Sequence, residues 1–381
     1  LTWQSARILV VRSLLRGVVE AIYWVLTWAC HRRCKHCYDD RFRPYVREDL
    51  KRVVGEGQSA YRNIIANLPD DMSYLDAHGA RKRTLLVLAG GEVLIDGVRE
   101  ELFYPVLEEI GRRWGDRGPH ISVQTTGDTP TSEHIEGMLS CGVRTIAIAS
   151  IDDFHVGLEG DKKFALMEHV RALMAPFGAR EVGLGGARDP RLKAPTPRPA
   201  DDDRGPFFLF FGAQPDLWIG ELWPRGRAWT NGLSEATYET NFCARWSGGE
   251  NFLNYGQAGS EVASEPDGSV YPCCLKTKAA LGSVAEERLT DILDSLKGHP
   301  AFEAINAGDP EAMGVSAGWS REAYRDASTV TDPSGRSFAN VCIGCDAYFA
   351  ARLGDELAAI RAQRLAAAKA RETKLSSLPS V

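Results

Sequence analysis

The amino-acid sequence predicts an α/β fold with a smaller domain at its carboxyl end. Three observations carry this. Strand-like and helix-like segments alternate five times between residues 22 and 184, the strands are short continuous apolar runs, and from about Thr230 the composition turns to Gly, Asn and Ser with short β-like pieces. Alternation of this kind calls for parallel strands with helical crossovers, hence a doubly wound sheet or a full or partial barrel. In either, the chemistry sits on loops that leave the carboxyl ends of the strands.

The elements follow in order. Ile22 to Trp28 is a β-branched and aromatic run too short for a typical helix, and it reads as a buried strand that ends near the first cysteine. A helix is expected from Arg47 to Leu68, with Gly55 and Gly57 each weakening it by about 1 kcal/mol relative to alanine. Thr84 to Ala89 reads as a strand covered on both faces, stopping at Gly90-Gly91-Glu92. Val98 to Trp114 carries Leu102, Val106, Leu107 and Ile110 on one helical stripe, with Arg112 and Arg113 in the last turn where cations suit the dipole. Strand His120–Gln124, helix Ser132–Ser140, strand Arg144–Ser150, helix Lys162–Met174 and a short strand near Glu181–Leu184 continue the pattern. Ala187 to Pro206, with five prolines beside Asp201, Asp202 and Asp203, reads as a mobile surface loop. Phe207 to Phe211 is a sixth strand able to close a barrel. Ala350 to Leu375 presents Leu353, Leu357 and Ile360 on one stripe, a packing helix and not a membrane anchor. The expected divisions are an extension over 1–18, a barrel over 19–229, a small second domain over 230–349 and a terminal helix and tail over 350–381.

The 381 residues include 45 Lys plus Arg and 51 Asp plus Glu, a formal charge of −6. A mildly acidic chain offers no broad footprint for nucleic acid. The longest apolar stretch, Ala21 to Cys30, is about half of the roughly 20 residues a spanning helix needs, so no membrane partner and no secretory signal are expected. Without an export signal the expected compartment is the reducing cytoplasm. There the nine cysteines, clustered and odd in number, read as metal ligands or reactive groups more than as disulfides.

Cys30, Cys34 and Cys37 place three thiols at spacings of four and three in the loop after the first strand. Three thiolates can hold three irons of a four-iron cluster and leave one iron for a further ligand. Zinc on the same thiols with His31 or His36 is the competing reading, and a coincidental stripe on one helix face is the plain one. Cys243, Cys273, Cys274, Cys342 and Cys345 form a second group, with Cys342 and Cys345 as a short chelating pair and Asp267-Gly268 as a hairpin turn before Cys273. Five cysteines cannot fill two complete cysteine-only sites. Cys141, between a helix end and Gly142, reads as a small buried hydrophobe.

The Cys-x3-Cys-x2-Cys loop, followed by the aromatic Tyr38, resembles the radical S-adenosylmethionine superfamily, and the resemblance runs from Ile22 to about Ala228. Gly90-Gly91-Glu92 is similar to the family's Gly-Gly-Glu motif, with Val93 where a proline is often found. Thr125-Thr126-Gly127 sits where many members have Thr-Asn-Gly, so Thr126 departs from the pattern. Ser150-Ile151-Asp152 resembles the Ser-Leu-Asp segment near the cofactor's ribose. The second cysteine group, with Leu281-Gly282-Ser283-Val284 after it, is similar to the auxiliary-cluster domains called SPASM or the shorter twitch type, and the short type fits five cysteines better.

The resemblance implies a partial (β/α)6 TIM-like barrel with a small auxiliary-cluster domain of short β-hairpin plus helices. It implies a [4Fe-4S] cluster on Cys30, Cys34 and Cys37 that binds S-adenosylmethionine and releases a 5′-deoxyadenosyl radical on one-electron reduction. Cofactor contacts are implied for Tyr38, Gly90, Gly91, Glu92, Thr125, Thr126, Ser150 and Asp152. An auxiliary [4Fe-4S] cluster is implied on Cys243, Cys273, Cys342 and Cys345, with Cys274 spare or alternative and zinc on the same thiols as the competing reading. Glu221, Arg225 and Arg227, in a segment similar to the Gly-Arg-Ala stretch near the barrel's end, are candidates to face the substrate, and so is His155. Against these stand plainer readings: helix capping for Asp152 and Asp153, a structural role for His155, and solvated or paired arginines.

Three functions follow as expectations. The first is a radical oxidoreductase acting on a small molecule, a dehydrogenation in which the auxiliary cluster takes an electron. The second is radical modification of a ribosomally made peptide, disfavoured because only 29 residues precede Cys30. The third is a zinc or electron-transfer protein with no catalysis. A flavodoxin or ferredoxin is the expected electron donor. The chain begins at Leu1, so a missing amino-terminal piece is also expected.

Overall fold

A computed structural model describes residues 18–183, 205–213, 221–244 and 251–376. All but the last residue of the expected extension over 1–18, and nearly all of the expected proline-rich loop, lie outside the described residues.

Strand β1 (Ala21–Val25) lies near the middle of a nine-stranded sheet. Helix α1 (Arg47–Asn67) follows it, then a small hairpin, β2 (Ser73–Leu75) with β3 (Arg81–Arg83). The expected alternation then appears: β4 (Leu85–Ala89), α2 (Tyr104–Trp114), β5 (His120–Thr125), α3 (Ser132–Ser140), β6 (Val143–Ile148), α4 (Lys162–Met174), β7 (Arg180–Glu181) and β8 (Phe207–Phe210). All pairings among β1, β4, β5, β6, β8 and β7 are parallel, in that order. This is the α/β, partial TIM-like barrel arrangement. The sixth barrel strand does not sit at the edge. β8 lies between β6 and β7, because its Phe207, Phe208 and Phe210 are buried on a sheet covered from both sides, whereas the two-residue β7 has little apolar surface to bury.

The helices bury the faces their spacing predicts. Val53, Val54, Ile64 and Ile65 of α1 and Val106, Leu107 and Ile110 of α2 are at most 2% exposed. Gly57 has a packing reason: a Cβ there would stand 2.7 Å from the Leu26 carbonyl and 2.8 Å from Leu102, so glycine lets α1 lie close on the sheet.

Beyond α5 (Gly226–Thr230) comes a strand the sequence does not single out, β9 (Glu261–Ser264), which pairs in parallel with β1, Ala21 opposite Glu261. β10 (Ser269–Tyr271) and β11 (Gly282–Ser283) continue antiparallel, with the expected Asp267-Gly268 turn between β9 and β10. The hairpin therefore extends the barrel sheet. Short helices follow, then α9 (Val341–Tyr348) and α10 (Gly354–Ser376), taking α6 as Leu289–Asp294, α7 as Pro300–Asn306 and α8 as Arg321–Ala327. Leu353 and Leu357 bury the start of α10, and Arg364 farther along it pairs with Glu287 at 2.8 Å. No helix among the described residues is long and apolar enough to cross a membrane.

Candidate active site

The loop after β1 carries Cys30, Cys34 and Cys37 onto the wall of a cavity of ≈ 190 Å³ inside the barrel. Its position is fixed by backbone bonds: Cys30 N–H donates to Arg43 O at 3.0 Å, and the guanidinium of Arg227 donates to the carbonyls of Cys34 (2.7 Å), Asp40 (2.9 Å) and Phe42 (2.5 Å). Gly91 closes the other side. A Cβ on it would meet the Ala29 carbonyl at 2.2 Å and the Cys30 Cβ at 2.8 Å, so the two loops touch only because the residue is glycine.

The three thiols share one cavity wall, and two of them touch. Cys37 donates to Cys34, which draws the Cys34 thiol down to about 6 with help from nearby His155, against the effect of burial; the same bond pushes Cys37 up. Burial pushes Cys30 up to about 12. His31 is drawn off to Asp128 at 3.1 Å, and His36 packs on His155 with ring centres 4.5 Å apart. His36, Asp152 and His155 bring their ligand atoms within 4.8 Å of one another, yet Asp152 is already engaged. Its Oδ1 accepts from Phe154 N, His155 N and His155 Nδ1 (2.9, 3.0 and 2.9 Å), its Oδ2 from Ala213 N (3.0 Å), and these bonds with the His155 charge hold its carboxyl well below the usual range despite burial. Three thiols lining one cavity are the donor set of a four-iron cluster with one iron open to a further ligand.

Of the residues assigned to the cofactor, Tyr38, Gly90, Gly91, Thr125, Thr126 and Asp152 line the cavity. Glu92 and Ser150 do not. Glu92 is 1% exposed, and its carboxylate accepts from Thr125 Oγ1 (3.0 Å to each oxygen), Thr126 N (2.7 Å), Thr126 Oγ1 (2.8 Å) and Leu94 N (3.0 Å). Ser150 donates to Thr126 O at 2.6 Å. Both hold the loops in place beneath the cavity wall. Asp152 builds the turn to His155; helix α4 begins later, after Asp161, so Asp152 is not its cap.

The candidates for facing the substrate need correction. Glu221 is exposed at the surface. Arg227 spends its donors on the cysteine loop, as described. Arg225 pairs with Asp346 (Nη2 to Oδ1 2.9 Å) and donates to Cys342 O at 3.3 Å, beside the second cysteine group. Buried guanidiniums go where acceptors are concentrated, here carbonyls and a carboxylate away from the cavity. Only His155 of the four lines it.

Cys243, Cys273, Cys342 and Cys345 line a second cavity of ≈ 20 Å³ together with Arg225. Two asparagines set the ligand loops: Asn241 Oδ1 accepts from Cys243 N (3.0 Å) and Asn340 Oδ1 from Cys342 N (2.9 Å), the latter capping α9. Burial pushes Cys273 up to about 11 and Cys342 to about 12, against the pull of the Arg225 charge. Thiols desolvated in this way need a metal to ionise, and four of them fit a closed cluster or zinc site equally by donor type. Cys274 lies elsewhere, on the wall of the large cavity. Cys141 is at neither site and packs against the core.

Residues the sequence reading passes over complete the large cavity. Tyr23 donates to Gln124 Oε1 across it at 3.1 Å, and Glu261 and Trp223 also line it. Gln124, the longest uncharged polar side chain of β5, was the available signal.

Residues 259–311 match the family model of SPASM, an iron-sulfur cluster-binding domain. No curated protein matches the chain. Among solved structures it is similar to BtrN in complex with AdoMet and 2-DOIA, at 11% identity over 78% of this chain and 90% of that one, with a TM-score of 0.39. It is similar to SuiB of Streptococcus suis bound to S-adenosylmethionine, at 11% identity over 80% and 72%, TM-score 0.41. It is also similar to anSMEcpe with bound AdoMet and Cp18Cys peptide, at 12% identity over 89% and 98%, TM-score 0.39. The match places a SPASM-type, iron-sulfur cluster-binding segment around Cys273, after a parallel α/β barrel whose first loop sets three thiols on the wall of the large cavity.

Proposed function

We propose that this chain is a radical oxidoreductase that dehydrogenates a small molecule held inside the barrel, with one auxiliary cluster receiving an electron. The carrying observation is the separation of two thiol sets, three on the larger cavity and four around a smaller one. When bound, the cluster on Cys30, Cys34 and Cys37 with S-adenosylmethionine supplies a 5′-deoxyadenosyl radical that abstracts a hydrogen atom.

The chain's own residues position, enclose and shield. Arg227 fixes the loop of ligands through three carbonyls, and Gly91 lets the Gly90-Gly91 backbone approach it. Tyr38 stacks edge-on against Trp223 (5.2 Å) and Phe42 (5.4 Å), an apolar wall that excludes water from a reactive intermediate. Thr125, Thr126 and Asp152 line the cofactor's place with their polar groups held by Glu92 and by the turn to His155, and His155 lines it too. Cys243, Cys273, Cys342 and Cys345 would hold the auxiliary cluster, and a flavodoxin or ferredoxin would deliver the electron.

The test is anaerobic reconstitution with iron and sulfide, then dithionite and S-adenosylmethionine, reading iron content and 5′-deoxyadenosine. About eight irons per chain and cofactor cleavage are expected. Cleavage that survives Cys34→Ala overturns the proposal, and turnover of short peptides but of no metabolite replaces the small-molecule reading.

A further inference from the structure

The large cavity runs the height of the barrel. At one end it is lined by Cys30, Gly90 and Gly91, at the carboxyl ends of the strands, and at the other by Ala21, Leu85 and Glu261. Those last three share one level of the sheet, Ala21 being the register partner of both Leu85 and Glu261. Four strand steps from Ala21 to Val25 span about 13 Å at roughly 3.3 Å each, so Glu261 stands at least that far below the cluster loop.

Two carboxyl groups line this cavity, Asp152 and Glu261. Asp152 is saturated by four donors. Glu261 has no hydrogen bond or ion pair among the described residues, and no described Lys or Arg lines the cavity. Its neighbours are Tyr23 on β1, Cys274 after β10, and Glu20, whose own carboxylate pairs with the Gly259 N–H and the Tyr74 hydroxyl. Enclosure, followed by the like charge of Glu20, pushes Glu261 up to about 8. A half-buried carboxylate facing the cavity with no counter-charge is partly desolvated, and a cation brought in from outside offsets that cost. Above it, Gln124 lines the cavity and its oxygen accepts from the Tyr23 hydroxyl.

We infer that Glu261 receives a primary ammonium group, so that the substrate held beneath the cluster loop is a small cationic amine. This rests on the radical-enzyme reading for what happens above the amine, but the binding itself needs no turnover. Because the free carboxyl at pH 7 mostly carries a proton, ammonium binding converts it to carboxylate and releases up to one proton per complex.

The test uses the reconstituted holoenzyme with S-adenosylmethionine and no reductant, and a matched pair of probes, cyclohexylammonium and cyclohexanol, which share a ring and differ in charge. Isothermal calorimetry at pH 7 in two buffers of different ionisation enthalpy gives affinity and protons released. Cyclohexylammonium is expected to bind at least tenfold tighter than cyclohexanol with net proton release, and Glu261→Gln is expected to erase both the preference and the release. Equal affinity for the two probes, no binding of the ammonium, or a preference kept by Glu261→Gln overturns the inference. The wild-type comparison decides even if the variant folds poorly. The 5′-deoxyadenosine assay on the same preparation separates the two readings, since ammonium binding without cofactor cleavage removes the radical function and leaves this site.

Discussion

Cys273 and Cys274 are consecutive residues that line different cavities, Cys273 the small one with Cys243, Cys342 and Cys345, and Cys274 the large one with Glu261. The chain turns directly after β10, and Cys273 O accepts from Lys276 N at 3.1 Å to close that turn. The split makes Cys273 the fourth thiol of the auxiliary set and leaves Cys274 next to the substrate's place. Cys273→Ala should therefore lose about four of about eight irons, and Cys274→Ala should keep them all. Iron analysis with electron paramagnetic resonance of the reduced clusters checks this; iron loss in the Cys274 variant alone would reverse the assignment.

Gly91 sets the distance between the two loops that meet at the first thiol set. A methyl group there would overlap the Ala29 carbonyl, a backbone atom that moves only with the whole cysteine loop. Gly91→Ala is expected to abolish cofactor cleavage and to lose iron from the first site while sparing the auxiliary site. Gly111→Ala, where a Cβ meets nothing within 4 Å on helix α2, serves as the control and should raise stability by about 0.5–1 kcal/mol.

Two neighbouring arginines serve two different sites, and their replacement should separate the sites. Arg227→Lys leaves at least one of the three carbonyls it serves without a donor, a loss of about 1–3 kcal/mol per buried group, and should weaken the first cluster. Arg225→Lys loses the two-pronged contact with Asp346 and should weaken the auxiliary cluster instead. Urea unfolding and the two cluster signals, measured side by side, read both effects.

The cysteine loop and Gly90-Gly91 were legible because each ends a continuous apolar strand, so their places at one end of the barrel follow from strand order. What ties the two cysteine groups together was not. Lys276, next to the second group, bonds Asp39 (2.6 Å) and Glu265 (2.7 Å), and Arg41 bonds Glu265 (2.8 Å) while lying 3.5 Å over the Trp28 ring. A sequence shows such charges without showing their partners. β9 escaped for a similar reason. It is four residues long, and its bonding to the β1 region spans 240 positions, as between Glu20 and Ser260. Arg225 and Arg227, candidates for the substrate through the Gly-Arg-Ala resemblance, turn out paired as the plainer reading has it, because a sequence cannot tell a guanidinium aimed at carbonyls from one aimed at a ligand.

Glu261 also predicts a pH dependence of stability in the metal-free protein. Its folded value, about 8, lies above the ordinary 4.5 of an exposed glutamate, because enclosure and Glu20 disfavour the charged form. The unfolded chain therefore releases its proton first as pH rises. The contribution is fully present below about 4.5 and is lost progressively as pH rises toward 8. Within that window the slope attributable to this one group approaches about 1.4 kcal/mol per pH unit. Glu261→Gln cannot titrate, so the difference in unfolding free energy between the variant and the parent should grow in the variant's favour from pH 5 to pH 8 and level off above. Urea unfolding at each pH measures it, and parallel curves for the two proteins would mean that Glu261 is solvated and ordinary. Because cyclohexylammonium stabilises the carboxylate, adding it should flatten the parent's slope toward that of Glu261→Gln, whereas cyclohexanol should leave the slope unchanged.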